Sequence, residues 1–162
     1  MFIYSVRAQT LRMCLILVIS VLLIGVVAVG GGAESAVAVS GAVEIDYGGI
    51  KTAEDRLRFM RSFGIEVADG SEEASNFSMP DSFDRVINGY NELQKRQGLD
   101  LLKYKNKRVT RYTYKVTNYK SDGEVWANLF VYRGKIIACD VSSADPTGFV
   151  IPMTLVDRSN LK

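Results

Sequence analysis

The sequence predicts an α+β domain carried behind an N-terminal transmembrane helix. Its sheet is expected to be an antiparallel meander of three to four strands, with two helices packed on one face. Three observations predict this. Phe83, Val86, Ile87, Tyr90 and Leu93 recur at i, i+3, i+4, i+7 and i+10, which places one apolar stripe along a helix. After Gly98 the period changes to two, with Tyr112, Tyr114 and Val116 on one side and Arg111, Thr113 and Lys115 on the other. Before all of this, residues 13–33 carry no charge and are dominated by Leu, Ile and Val.

Those twenty-one residues are the first element. As a helix they rise on the order of 30 Å, the thickness of a bilayer's hydrocarbon. Arg7 and Arg12 precede the stretch and the first acid, Glu34, follows it. Positive charge stays on the cytoplasmic side, so the remainder of the chain is expected outside the cytoplasm. A cleavable signal peptide is the alternative, with Ala36-Val37-Ala38 as its small-residue site. The uncharged run exceeds the usual signal core of about 7–15 residues, which favours a retained anchor. Cys14 lies ahead of the apolar core, so it is not a lipoprotein cysteine.

The expected organisation is a cytoplasmic N-terminus (1–12), the anchor (13–33), a flexible Gly/Ala/Ser-rich spacer (34–50), an α+β domain (51–150) and a tail (151–162). Within the domain, Thr52 and Asp55 form a helix-start signature. Ala53, Leu57, Met60 and Phe63 are the expected buried stripe of the helix that follows. Residues 65–67 and 77–79 read as short strands, 69–76 as a polar turn, and Ser78-Met79-Pro80-Asp81, or Asp81 itself, as the opening of the long helix. The opposite face of that helix takes Asp84, Arg85, Asn88, Asn91, Glu92, Lys95 and Arg96. Strands are expected over 108–118, 124–132 and 135–141, with Arg133-Gly134 as a two-residue hairpin turn. Pro146 and Pro152 argue against any further regular element.

Composition narrows the chemistry. There is no histidine, so the commonest general base, zinc ligand and nucleophile-activating group are all missing. Glu72-Glu73 reads as a solvated turn, and Asp122-Gly123-Glu124 lacks the spacing of a calcium loop. Cys139 has no cationic neighbour in sequence and reads as a small buried hydrophobe. Asp140, in an apolar strand, is the odd polar residue: a strand-end cap, or a binding group. We therefore expect no catalytic, cofactor-binding or metal-ligating residue, and a protein that is not an enzyme. The alternative is a histidine-free hydrolase, which needs two close carboxylates.

Two stretches are candidate interaction surfaces. Residues 95–115 hold eight basic side chains and one acid, while 34–81 holds ten acids and four bases. Beyond Arg12 the chain is neutral, which argues against nucleic acid as a partner. Lys103, Lys105, Lys107, Arg111 and Lys115 form the basic candidate, for an anionic wall polymer or membrane surface. Arg111 and Lys115 are expected on the side turned away from the helices. Trp126, Phe130 and Tyr132 share one strand face and form the aromatic candidate, to be either covered by a second layer or presented to a partner. The partners expected are the membrane and an envelope protein or anionic polymer.

Some of these residues also carry a likeness. Gly64-Ile65-Glu66-Val67, the run Tyr90-Asn91-Glu92-Leu93-Gln94 leading to Gln97-Gly98-Leu99-Asp100-Leu101, and Tyr132-Arg133-Gly134-Lys135 through Asp140 resemble the bacterial family catalogued as domain of unknown function 4830. The likeness covers roughly residues 52–149, and the Asn-Glu-Leu-Gln to Gly-Leu-Asp-Leu block is its most specific part. It implies a small extracytoplasmic domain behind an N-terminal membrane segment, largely in Firmicutes, and no known activity. Val150-Ile151-Pro152 departs from the family pattern, where a small polar motif is expected.

Overall fold

Thr52 opens the first helix, α1 (Ala53–Ser62), as a full capping box. Its hydroxyl accepts from the Asp55 amide, and the Asp55 carboxylate accepts from the Thr52 amide. The structure, a computed structural model, describes residues 45–145 and 147–162. After α1 come β1 (Glu73–Ser78), α2 (Arg85–Lys95), a 3-10 turn over Leu101–Tyr104, β2 (Arg108–Val116), β3 (Val125–Tyr132), β4 (Lys135–Ser143) and β5 (Val150–Pro152). The strands form one sheet in the order β1-β2-β3-β4-β5, every neighbour antiparallel. Arg133 and Gly134 both take positive φ (48° and 74°), as the expected two-residue hairpin requires.

The α+β meander is thus present, with five strands where three to four were expected. The region read as a polar turn, 69–76, runs into edge strand β1. Its exposed Glu73 and Asn76 suit an unpaired edge, where charge and polarity discourage pairing with another chain. The tail supplies β5, because Pro152 is the last residue of an edge strand, where a missing N–H costs no ladder bond. Residues 65–67 form no strand, only a bridge from Val67 to Val116. The long helix starts at Arg85, capped by Asp84, whose carboxylate accepts from the Ile87 amide at 2.8 Å.

The two helices pack on opposite faces of the sheet, not on one. Residues directly opposite in an antiparallel pair share a face. On one face Tyr114, Ala127 and Val141 stand in a row, with Tyr112, Leu129 and Cys139 beside them. These pack with Phe59, Met60 and Ile65, the α1 side. On the other face Phe130 and Ala138 pack with Tyr90 and Leu93 of α2 and with Leu101. Each strand between carries apolar groups on both faces, as β4 shows by being buried from Ile136 through Ser142.

Helix α1 is rotated from its expected stripe. Ala53 is exposed and Leu57 half-buried, while Arg56, Phe59 and Met60 are buried. The cause is a side chain that periodicity counts as polar. The Arg56 guanidinium forms a two-pronged pair with Glu72 at 2.8 Å, donates to the Tyr114 hydroxyl at 2.8 Å and lies 3.7 Å from the Tyr112 ring centroid. Glu72 stays exposed ahead of β1, as expected from sequence, but its carboxylate is committed to this pair. Asn91 likewise leaves the exposed face and is buried: its side-chain carbonyl accepts from the Leu101 amide and its amide donates to Asp100.

Residues 45–50 belong to the domain although sequence places them in the spacer. The Ile136 amide donates to the Tyr47 carbonyl at 2.8 Å, the Ile50 amide donates to the Gly134 carbonyl at 2.9 Å, and Ile50 is buried. The anchor stretch, 13–33, lies outside the described residues, and no helix among the described residues is long and apolar enough to cross a membrane.

Leu93 is buried in the α2-side cluster. Truncation to alanine is expected to lower stability by about 2–5 kcal/mol, through lost transfer energy and the cavity left behind. A urea titration of Leu93→Ala against the parent checks it, and a loss under about 0.5 kcal/mol would mean that α2 is peripheral to the fold.

Candidate functional site on the α2 side of the sheet

The strand register unites two candidates that sequence treats separately. Arg111 lies opposite Phe130, and Lys115 opposite Trp126. The basic residues of β2 and the aromatic residues of β3 therefore stand on the same face. That face turns away from α1 but toward α2, which corrects the placing of Arg111 and Lys115 on a helix-free side. Alternation within each strand is legible in a sequence, whereas pairing between strands is not.

The aromatic candidate is covered at its centre. Phe130 is buried, edge-on to Phe77 at 5.8 Å between centroids and tilted against Tyr90 at 5.8 Å. Tyr132 meets Tyr104 edge-on at 5.7 Å. Trp126 alone of the three lies beyond the reach of these rings, half-buried beside Lys115 and Ser142. The basic candidate divides as well. Lys115 is ion-paired with Glu124, and Arg111 is committed to a polar cluster. Lys103, Lys105 and Lys107 sit apart, exposed on the 3-10 turn and the turn that leads into β2.

The polar cluster is the feature that sequence reasoning missed. Asn128 is buried at its centre. Its side-chain carbonyl accepts from Arg111 Nη2 at 2.6 Å, Arg111 Nε at 3.1 Å and the Thr113 hydroxyl at 3.1 Å. Its amide donates to Asp140 Oδ1 at 2.7 Å and to the Ser142 hydroxyl at 3.1 Å. The amide can face only one way, since a flip would aim its NH₂ at a guanidinium. Tyr90, reaching down from α2, donates to Asp140 Oδ2 at 2.6 Å. The signal for Asp140 was its presence in an apolar strand; nothing marked Asn128, the fourth residue of β3, in an otherwise apolar run.

Burial pushes the Asp140 carboxyl above its ordinary range, opposed by the Tyr90 hydrogen bond, the Arg111 charge and the Asn128 and Ser142 contacts. The same burial, with Asp140 beside it, pushes the Tyr90 phenol well up. The Cys139 thiol is also driven up, chiefly by burial and then by the Asp140 charge, which is the reverse of an activated nucleophile. Asp140's hydrogen-bond partners are a phenol and an amide, with no carboxylate among them. Among the described residues no three His, Cys, Asp or Glu side chains gather as a metal site.

The family-specific block has a mechanical job. Gln94 Oε1 accepts from the Cys139 amide at 3.0 Å, and Gln97 Nε2 donates to the Cys139 carbonyl at 2.7 Å and to Gln94 Oε1 at 2.6 Å. Two glutamines from the end of α2 thus occupy the ladder positions that a further strand would fill. Asn91 binds the chain again at Leu101, beyond Gly98, whose φ of +80° reverses the direction.

A five-stranded antiparallel meander clasped by a helix on each face defines this as a small α+β domain with an internal polar cluster. The sequence model for the domain of unknown function DUF4830 matches residues 59–141, just over half of the chain. The chain belongs to that family. No curated protein and no solved structure matches it.

The direction of the Asp140 shift sets a pH test. An acid whose pKa is raised by folding leaves stability untouched below its ordinary value of 3.8 and lowers it as pH climbs toward the folded value. Asp140→Asn removes the buried charge, and the Tyr90 hydroxyl can turn to accept from the new amide. The stability of the variant relative to the parent is expected to rise with pH above 3.8, read from urea unfolding across the acid range. A difference that does not change with pH overturns the assignment.

Proposed function

We propose that the chain is a single-pass membrane protein of the bacterial cell envelope whose domain stands outside the cytoplasm and acts as a non-catalytic binding module. The observation that carries this reading is the 13–33 stretch: twenty-one uncharged residues with Arg7 and Arg12 ahead of them and Glu34 just after. A second support is the way the polar groups of the domain are used. Arg56, Asn91, Gln94, Gln97, Asn128 and Asp140 are buried and bonded to one another, to the backbone or to neighbouring side chains, so they hold the fold together. What is left for a partner on the α2 side is the end of the sheet beyond Phe130. There Trp126 lies half-buried with the Lys115–Glu124 pair at its flank. A partly exposed tryptophan with a rigid strand beneath it suits a protein partner, for which such residues are frequent anchors.

Cell fractionation and intact mass test the anchor. The expected result is a full-length chain that resists alkaline extraction from membranes and is digested by protease added outside the cell. A soluble extracellular product starting near Val39 overturns it. For the binding surface, Trp126→Ala is expected to weaken capture of any partner from detergent-solubilised membranes by on the order of tenfold. The variant should still unfold in one cooperative urea transition, at a somewhat lower midpoint because a half-buried ring is removed.

A further inference from the structure

The charge that sequence assigns to strand β2 collects in space at one end of the sheet. The β3–β4 turn brings Arg133 and Lys135 there, and β2 begins there with Arg108. The 3-10 turn and its exit add Lys103, Lys105 and Lys107. Packing fixes these pieces together. The Tyr104 and Tyr132 rings are 5.7 Å apart, and the Arg133 guanidinium is 5.3 Å from the Tyr132 ring. The Met79 amide donates to the Lys107 carbonyl at 2.9 Å. All six side chains are exposed, and none is in an ion pair among the described residues. Two of the acids nearby are already engaged: Asp84 caps α2, and Asp100 accepts from the Leu102 amide and from Asn91.

The same end receives the chain. Tyr47 and Ile50 bond to Ile136 and Gly134, so the described domain is entered within a few residues of Lys135. Eleven residues, 34–44, separate that entry from the 13–33 stretch. A chain of that length spans at most about 40 Å.

We propose that this end of the sheet is a membrane-facing surface that rests on anionic phospholipid headgroups of the bilayer holding the 13–33 stretch. The inference rests on the anchor reading above and adds to it an orientation and a ligand class. Six exposed cations beside the tether, in no ion pair among the described residues, meet a surface of opposite charge at high effective concentration. Lys120, past the far end of β2 and bonded to the Ser159 carbonyl, points the other way along the sheet and serves as an internal control.

The test uses the full-length chain in nanodiscs of phosphatidylcholine alone or with a third phosphatidylglycerol. Lysine acylation rates are read by mass spectrometry at 0.1 M and 1 M salt. A surface potential of roughly −30 mV enriches protons about threefold, so amines held at the anionic surface should react about threefold more slowly. The expected result is slowing of that order at Lys103, Lys105, Lys107 and Lys135 in the anionic discs at low salt. Lys120 should be unchanged, and the effect should fade at 1 M, where the Debye length is about 3 Å. In Lys103→Glu/Lys107→Glu, the slowing at Lys105 and Lys135 should be lost. A chain that inserts but shows equal rates in both discs overturns the proposal, as does slowing produced by soluble poly(glycerol phosphate) but not by the anionic bilayer. A chain that fails to enter discs of either composition overturns the anchor reading instead.

Discussion

Strand β4 is the constraint on which the rest of the domain depends. It is buried from Ile136 to Ser142, yet β5 pairs with only Asp140, Val141 and Ser142. Its outer backbone groups need partners, because a buried amide without one costs about 1–3 kcal/mol. Three unrelated segments supply them in succession. Tyr47 accepts from the Ile136 amide, Gln94 and Gln97 satisfy both groups of Cys139, and Ile151 lies opposite Val141. The N-terminal segment, the end of α2 and the tail are all held in place by the same strand edge.

That arrangement explains why the most specific part of the family likeness is polar. Asn91 and Gln94 lie on α2 and Gln97 in the turn just past its end, but their work is done on the 3-10 turn and on β4. An apolar residue at Gln94 would preserve the stripe and leave the Cys139 amide without a partner. The Gln97 backbone carbonyl also accepts the Tyr47 hydroxyl at 2.6 Å, and burial pushes that phenol up to about 12. The glutamines thus join two edge segments that are fifty residues apart in sequence.

Sequence reading found what depends on local periodicity and missed what depends on pairing. The α2 stripe from Val86 to Leu93, the Gly98 stop, the Arg133-Gly134 turn and the Thr52 cap are each written in a few neighbouring residues and are present. Phe83, the expected first member of the stripe, lies ahead of the Asp84 cap. The opposite placement of the two helices follows from β3 carrying Ala127 and Leu129 toward one and Phe130 toward the other. The strand is apolar on both sides in sequence, but which element covers each side is set by pairing and topology. Arg56 and Asn128 were invisible for a related reason. A polar side chain is placed inside only when its partners are known, and those partners, Glu72, Tyr114, Arg111 and Asp140, arrive from other elements.

The same pairing also decides which charges are available. An even spread of lysine and arginine over 95–115 suggests a uniformly basic strand, but the fold divides it by use. Arg111 is bound to Asn128 and lies 5.6 Å from the Phe130 ring, and Lys115 is matched by Glu124. Lys95 pairs with Glu92 within α2. Lys95, Arg111 and Lys115 are thereby matched within the domain, whereas the cations at the hairpin end are in no ion pair among the described residues. Charge that is neutral in sum becomes directional once the strands are registered, and its direction is toward the end where the chain enters the domain.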